Sequence, residues 1–261
     1  MHAARAYENG IVVVDFRPGP GFWASRLVTR SLRWCEIQLV MIVTIDGPAG
    51  AGKSTVARRL AARLGCQFLD TGAMYRGVVW SALCRGVDWS DIDQLERLAA
   101  GLSIEFPDAA VWVNGEDVTE AIRSPQVTAS VHFVADEPRV RARLVELQRR
   151  IAATGDYVTE GRDQGTVAFP DAHCKIFLTA SPDERARRRV LELQAKGLAA
   201  DFAAILAQQK DRDARDAARP VGALKKAPDA VELLTDQLSI DQVVTRLEQI
   251  VRVALSQRRS G

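Results

Sequence analysis

Long apolar runs are missing. The nearest candidates, Ile-Val-Val-Val at 11–14 and Leu-Val-Met-Ile-Val at 39–43, fall far short of the ~20 residues a membrane helix needs. Charge of one sign is missing too: 35 basic and 33 acidic residues leave +2, and residues 1–40 hold that whole excess, with five Arg against three acidic residues. A chain so balanced lacks the one-signed field with which a protein coats DNA or an anionic membrane, so neither nucleic acid nor membrane is expected as a partner. Cysteine is scarce. Cys35, Cys66, Cys84 and Cys174 form no CxxC pair and have no His placed to complete a zinc set, which reads as reduced thiols in a cytoplasmic protein. No internal repeat or low-complexity tract is visible. What the 261 residues do have is 47% hydrophobic content, enough for a sizeable core and too much for disorder.

Residues 1–40 stand apart. They contain Pro-Gly-Pro-Gly at 18–21 and no long periodic pattern, and they end directly before Met41-Ile42-Val43-Thr44, where organised alternation begins. They are expected to be a dispensable N-terminal extension. One explanation is a translation start placed too far upstream of Met41; the other is an Arg-rich transit segment, against which Glu8, Asp15 and Glu36 count, because such segments avoid acidic residues.

From Met41 onward short β-like runs alternate with longer helical patterns, which predicts an α/β fold with a parallel sheet wrapped by helices. Strands are expected at Ile42–Ile45, Gln67–Leu69, Tyr157–Thr159, Lys175–Thr179 and Val231–Leu234, and helices at Lys53–Leu64, Ala73–Cys84, Arg139–Ala153, Asp183–Ala195, Phe202–Ala217 and Ile240–Leu255. Ser103–Phe106 and Val111–Val113, followed by Asn114-Gly115, break the alternation and read as small antiparallel strands with a turn, inserted beside the main sheet.

The sharpest chemical signal is Gly47-Pro48-Ala49-Gly50-Ala51-Gly52-Lys53-Ser54, with Thr55 after it, lying between an apolar strand and a helical pattern. That is a P-loop: its glycines let the backbone close around phosphates, and the following helix aims its positive end at them. Lys53 is expected to reach the β- and γ-phosphates of ATP, and Ser54 to bind Mg²⁺. A P-loop alone does not separate GTPases, motor ATPases and small-molecule kinases. Two absences do: there is no N-K-x-D for guanine, and no strand ends in an aspartate followed by a second acidic residue.

Four further clusters carry charge suited to anions: Asp70-Thr-Gly-Ala-Met-Tyr75-Arg76, Pro138-Arg-Val-Arg141, Glu160-Gly-Arg162-Asp163-Gln-Gly-Thr and Arg212-Asp-Ala-Arg-Asp216-Ala-Ala-Arg219. In the last, spacings of four and seven place Arg212, Asp216 and Arg219 on one helix face, although pairing along a helix would explain that equally. Taken in order, with VTIDGPAGAGKST, VNGEDVTEAIRS, KIFLTAS and LELQAKG, these motifs resemble the bacterial cytidylate kinase family over Ile42 to about Leu255.

The resemblance implies a P-loop nucleoside monophosphate kinase fold, with a five-stranded parallel sheet, flanking helices, a nucleotide-binding insertion and a helical lid. The core would comprise 41–70 and 156–261, the monophosphate-binding part about 71–155 and the lid about 190–212. It implies transfer of the γ-phosphoryl group of MgATP to CMP or dCMP, by a chain acting as a monomer. MgATP and CMP together bring about −4 of charge into one cleft, and guanidinium forks suit such anions. By resemblance Arg76, Arg162 and Arg219 hold the CMP phosphate, and Asp163 reads the base, with Arg141 in the same pocket. Arg212 and Asp216 contact the ribose, Thr71 and Tyr75 line the nucleotide site, and Arg188, in the segment Glu184–Lys196 that leads into the lid, is brought onto ATP as the lid closes. The catalytic set is then Lys53, Arg162 and Arg219. An acceptor phosphate with second pKa about 6 is already mostly dianionic at neutral pH, so no general base is required.

Two departures from the family stand out. His132 occupies the position of a base-reading serine six residues before Pro138, and the imidazole either takes over that role or is merely structural. After Arg219 the chain reads Pro-Val-Gly-Ala223-Leu224-Lys225-Lys226, lacking the usual Pro-Leu, so that loop is expected to differ locally. The readings outside this family are a P-loop kinase for another acceptor, such as UMP, AMP or shikimate, and a nucleotide-binding protein that transfers nothing.

Overall fold

A computed structural model describes residues 40–107 and 110–259. The expected N-terminal extension therefore lies outside the described residues.

Five strands, β1 (Ile42–Asp46), β2 (Gln67–Asp70), β6 (Tyr157–Gly161), β7 (Cys174–Thr179) and β8 (Val231–Leu234), form one sheet in the order β2-β6-β1-β7-β8, every pair parallel. Parallel strands are buried on both faces, and Val43, Thr44 and Ile45 of β1 are fully buried accordingly. The strands expected from sequence match within one or two residues at each end. Because β1 is central and its neighbours β6 and β7 come much later in the chain, the connections diverge at its carboxyl end, where open α/β sheets bind ligands.

Helices α1 (Lys53–Leu64) and α8 (Ile240–Arg259) cover one face, with Val56, Leu60, Val244, Leu247 and Val251 packing on Val43, Ile45, Ile176 and Leu178. A second apolar cluster joins α2 (Thr71–Cys84), α3 (Ile92–Ala100), α4 (Pro125–Ala135) and α5 (Pro138–Ala152) through Met74, Val78, Leu95, Leu98, Val134, Val140 and Leu144. The same cluster takes in Ile104 and Val113 of a small antiparallel sheet, β3 (Ile104–Glu105), β4 (Trp112–Val113) and β5 (Glu116–Asp117). Asn114 and Gly115 turn between β4 and β5 with φ of 51° and 81°, the paired left-handed conformation a two-residue hairpin needs. The two last long helices before β8, α6 (Pro182–Ala195) and α7 (Phe202–Ala218), pack on each other.

Two helices had no counterpart in the sequence reading. Helix α3 is nine residues long, started by the Asp91 carboxylate accepting from Gln94 N–H. Helix α4 is capped by Ser124 with Pro125 in its first turn, a recognisable start. Its Val, Thr and Phe content favours strands, so its apolar residues show no clear helical period.

Candidate active site

The four acidic or hydroxyl residues Asp46, Asp70, Glu160 and Thr179 lie at the carboxyl ends of β1, β2, β6 and β7, along one edge of the sheet. The P-loop leaves β1 at that edge. Gly47, at φ 151°, has no room for a side chain because a Cβ there would strike the Leu178 carbonyl of β7. Gly52 caps α1 in the left-handed region with no side chain on the first-turn N–H groups, which leaves them directed at an anion. Gly47 and Pro48 are buried beneath the loop, while Ala49 through Thr55 line a cleft of about 1100 Å³.

Lys53 is buried, and its Nζ donates to the Pro48 carbonyl at 2.7 Å. Burial, then the nearby Arg162, pushes its pKa down to about 7. Ser54 Oγ donates to Glu160 Oε1 at 2.5 Å. Burial, then the neighbouring Asp70, raises the Glu160 pKa. Asp46 is raised to about 6, chiefly by burial, against two backbone N–H donors, Gln164 at 2.8 Å and Gly165 at 2.7 Å. Thr71 Oγ1 donates to the Glu160 carbonyl at 2.6 Å, tying the start of α2 to β6. Arg185 fastens the loop from behind: it donates to the carbonyls of Ala49 and Ala180 at 2.9 and 3.2 Å and pairs with Asp213 of α7 at 2.7 Å.

Opposite the P-loop, Arg162 Nε meets Asp216 Oδ2 at 2.8 Å, and Arg219 meets Asp216 Oδ1 at 2.6 Å and Asp136 at 2.5 Å. Burial alone would raise the Asp216 pKa, yet Arg162 and Arg219 hold it below the usual carboxylate range. Arg212 is pushed down to about 10, by burial first and then by Arg162, with Arg76 and Arg219 adding to it. Three guanidinium groups close enough to disfavour the charge on Arg212 mark a site suited to anions. Among cleft-lining residues eleven are Lys or Arg and five are acidic, so a chain of net charge +2 concentrates its positive side chains here.

Deeper on the α5 side, Arg141 and Asp163 are both almost fully buried and form an ion pair. Arg141 Nη1 donates to the Ala135 carbonyl at 2.9 Å, and its Cζ lies 5.4 Å from the centre of the Tyr75 ring. Arg141 Nε and Tyr75 Oη are buried with no hydrogen-bond partner. Unsatisfied polar atoms of this kind are rare and ask for a ligand. Burial raises the Tyr75 pKa, so the phenol stays protonated and can donate.

All of Thr71, Tyr75, Arg76, Arg141, Arg162, Asp163, Arg188, Arg212, Asp216 and Arg219 therefore line the same cleft as Lys53 and Ser54. His132 does not belong to that lining. Helix α4 presents Thr128, Val131 and Ala135 to the cleft, and the His132 Nδ1 hydrogen is used on the Ala129 carbonyl at 2.8 Å, its ring against Phe133. Glu160, Asp46 and Arg185 were not singled out from sequence. Glu160 and Asp46 lie inside contiguous motifs and Arg185 in the Arg-rich start of α6, but the contacts that give Asp46 and Arg185 their roles, with Gln164 and Gly165 and with Ala49 and Asp213, are distant in the chain, and no local pattern marks them.

A family model described as cytidylate kinase matches residues 43–253. A cytidylate kinase from Rhodopirellula baltica is 51% identical over 212 residues, covering 81% of this chain and 93% of that protein. A bifunctional pantoate ligase/cytidylate kinase from Synechococcus sp. strain WH7803 is 46% identical over 261 residues, covering 94% of this chain but 53% of the longer protein. Among solved structures, a gluconokinase from Sinorhizobium meliloti 1021 aligns over 85% of this chain and 97% of its own, with 15% identity and a TM-score of 0.44.

Proposed function

We infer the activity from kinship and site together: the chain belongs to the cytidylate kinase family, and its reaction is transfer of the γ-phosphoryl group of ATP to CMP or dCMP, giving ADP and CDP or dCDP. The observation that carries the assignment of residues is the convergence of Lys53 with Arg76, Arg162, Arg212 and Arg219 on one cleft.

The P-loop N–H groups and Lys53 take the ATP phosphates, and Arg188, with Arg189 and Lys196 beside it, faces the same nucleotide from α6. Arg76, Arg162 and Arg219 take the CMP phosphate. Asp216 and Asp136, the carboxylate partners of Arg162 and Arg219, exchange part of that contact for phosphate oxygens. Arg212 and Asp216 serve the ribose. Asp163 accepts from the 4-amino group of cytosine; uracil presents an acceptor there and is repelled. With a dianionic acceptor no residue has to remove a proton. The work left to the protein is alignment of two phosphates and stabilisation of the charge between them.

Magnesium fits the loop mouth. The Ser54 hydroxyl and the Glu160 carboxylate are hard oxygen donors side by side, the set this ion prefers alongside substrate phosphates. When bound it would neutralise charge on the ATP phosphates. Residues 190–212, the α6 end, the turn at Gly197 and the α7 start, form the lid in this reading. Leu191 and Leu198 are 59% and 54% exposed there, apolar surface that closure over nucleotide would cover while excluding water. The catalytic domain is 41–261. Cytoplasmic location fits Cys66, Cys84 and Cys174, none in a disulfide. Cell fractionation and sedimentation of the purified chain check that location and the monomeric state.

The test is an acceptor panel. Purified full-length chain should form ADP from MgATP with CMP and dCMP and far more slowly with UMP and AMP. Preference for AMP would defeat the cytosine reading, and no turnover with any monophosphate would defeat the kinase. A chain beginning at Met41 should give the same panel; an inactive one would place residues 1–40 in the catalytic unit.

A further inference from the structure

The loop after α7 departs from the family pattern, and its main chain lies against the most deeply buried ion pair of the cleft. Gly222 is buried at φ 71°, and a Cβ built on it would fall far inside van der Waals contact with Arg141 Nη2, Arg141 Cζ and Asp163 Oδ2. The loop is anchored on both sides of this glycine. Arg219 pairs with Asp216 and Asp136 before it, and Leu224 N–H donates to the Asp216 carbonyl at 2.8 Å after it.

We infer that Gly222 is a specificity-determining position, its bare main chain forming the wall that holds Arg141 and Asp163 in the one arrangement able to read an aminopyrimidine edge. The inference rests on the base-reading role given to Asp163 and Arg141 above. Any side chain at 222 must displace something. The atoms a Cβ would meet are the ends of two side chains and no main chain, and Arg141 borders a hollow of about 560 Å³, lined also by Ala142, Val145 and Val221, into which its guanidinium can turn. The pair therefore yields before the fold does, and base selection suffers while the P-loop does not.

Steady-state kinetics of the full chain with CMP and with UMP, comparing wild type, Gly222→Ala, Gly222→Asn and Asp163→Ala, tests this. Gly222→Ala is expected to raise KM for CMP about tenfold and to lower the CMP-over-UMP ratio of kcat/KM by about tenfold. KM for ATP and the circular dichroism spectrum stay as in wild type. Gly222→Asn carries the same Cβ on a residue that tolerates a left-handed backbone, and it gives the same pattern. Asp163→Ala erodes the ratio as well; an unchanged ratio in that variant overturns the base reading and this inference with it. If Asp163→Ala erodes the ratio but folded Gly222→Ala keeps wild-type KM and ratio, only the inference about Gly222 falls. Equal rises in KM for CMP and UMP, or loss of folded protein in both Gly222 variants, overturn it too, since the wall would then be structural.

Discussion

Lys53 shows at the scale of one residue how function and stability oppose each other. Its ammonium is taken out of water beside Arg162, and the pKa of about 7 means that the folded, empty protein binds this proton more weakly than the unfolded chain does. Between pH 7 and about 10 the unfolded state holds more protons, so Lys53 makes the ligand-free protein less stable at pH 7 and less so as pH rises. ATP reverses the balance, because its phosphates need the ammonium. Lys53→Met is therefore expected to raise the melting temperature of the ligand-free protein at pH 7 by a few degrees, about 1–2 kcal/mol. It is also expected to lower kcat by about 10²–10³-fold. At pH 8, calorimetry in buffers of different ionisation enthalpy should show proton uptake on ATP binding by wild type and none by Lys53→Met. A less stable variant, or equal proton uptake in both, would contradict this assignment.

At the scale of elements, the P-loop is shaped by what stands behind it. Arg185 of α6 joins the loop carbonyl of Ala49, the end of β7 at Ala180 and Asp213 of α7, so a single guanidinium ties the P-loop to α7. Arg185→Met should destabilise by about 2–3 kcal/mol, because Asp213 is left partly buried without its cation. Adding Asp213→Asn should recover part of that loss, which chemical denaturation of the two variants would show; strict additivity would mean that the pair does not act as a unit. The same contrast explains which elements were legible in sequence. Strands β1, β6 and β7 announce themselves by short runs of β-branched and aromatic residues, and α1 by the P-loop before it. Helices α3 and α4 do not, one being short and the other built of strand-favouring residues. Arg141, Asp163 and Arg162 sit in recognisable contiguous motifs. Gly222 and Asp136 acquire meaning only when α4, α5 and the loop after α7 come together, so no spacing could disclose them. His132 was legible as a departure from the family, but only the orientation of α4 shows that its ring faces away from the cleft.

For the molecule as a whole, the near-zero net charge conceals the functional feature. Strand order places the switch of connections at β1, the P-loop leaves there, and α2, α5 and α7 bring Arg76, Arg141 and Arg212 to the same cleft. Charge is segregated in space, not in sequence, so the overall balance says nothing of a site for a small polyanion. Donor and acceptor are expected to lie head to head within one continuous cleft. Equilibrium binding of an adenosine–cytidine conjugate linked through a five-phosphate chain tests it most directly. One conjugate per chain, displaced by either ATP or CMP and bound far more tightly than each, is the predicted result. A conjugate that leaves the CMP site open, so that CMP and conjugate bind together, would contradict it.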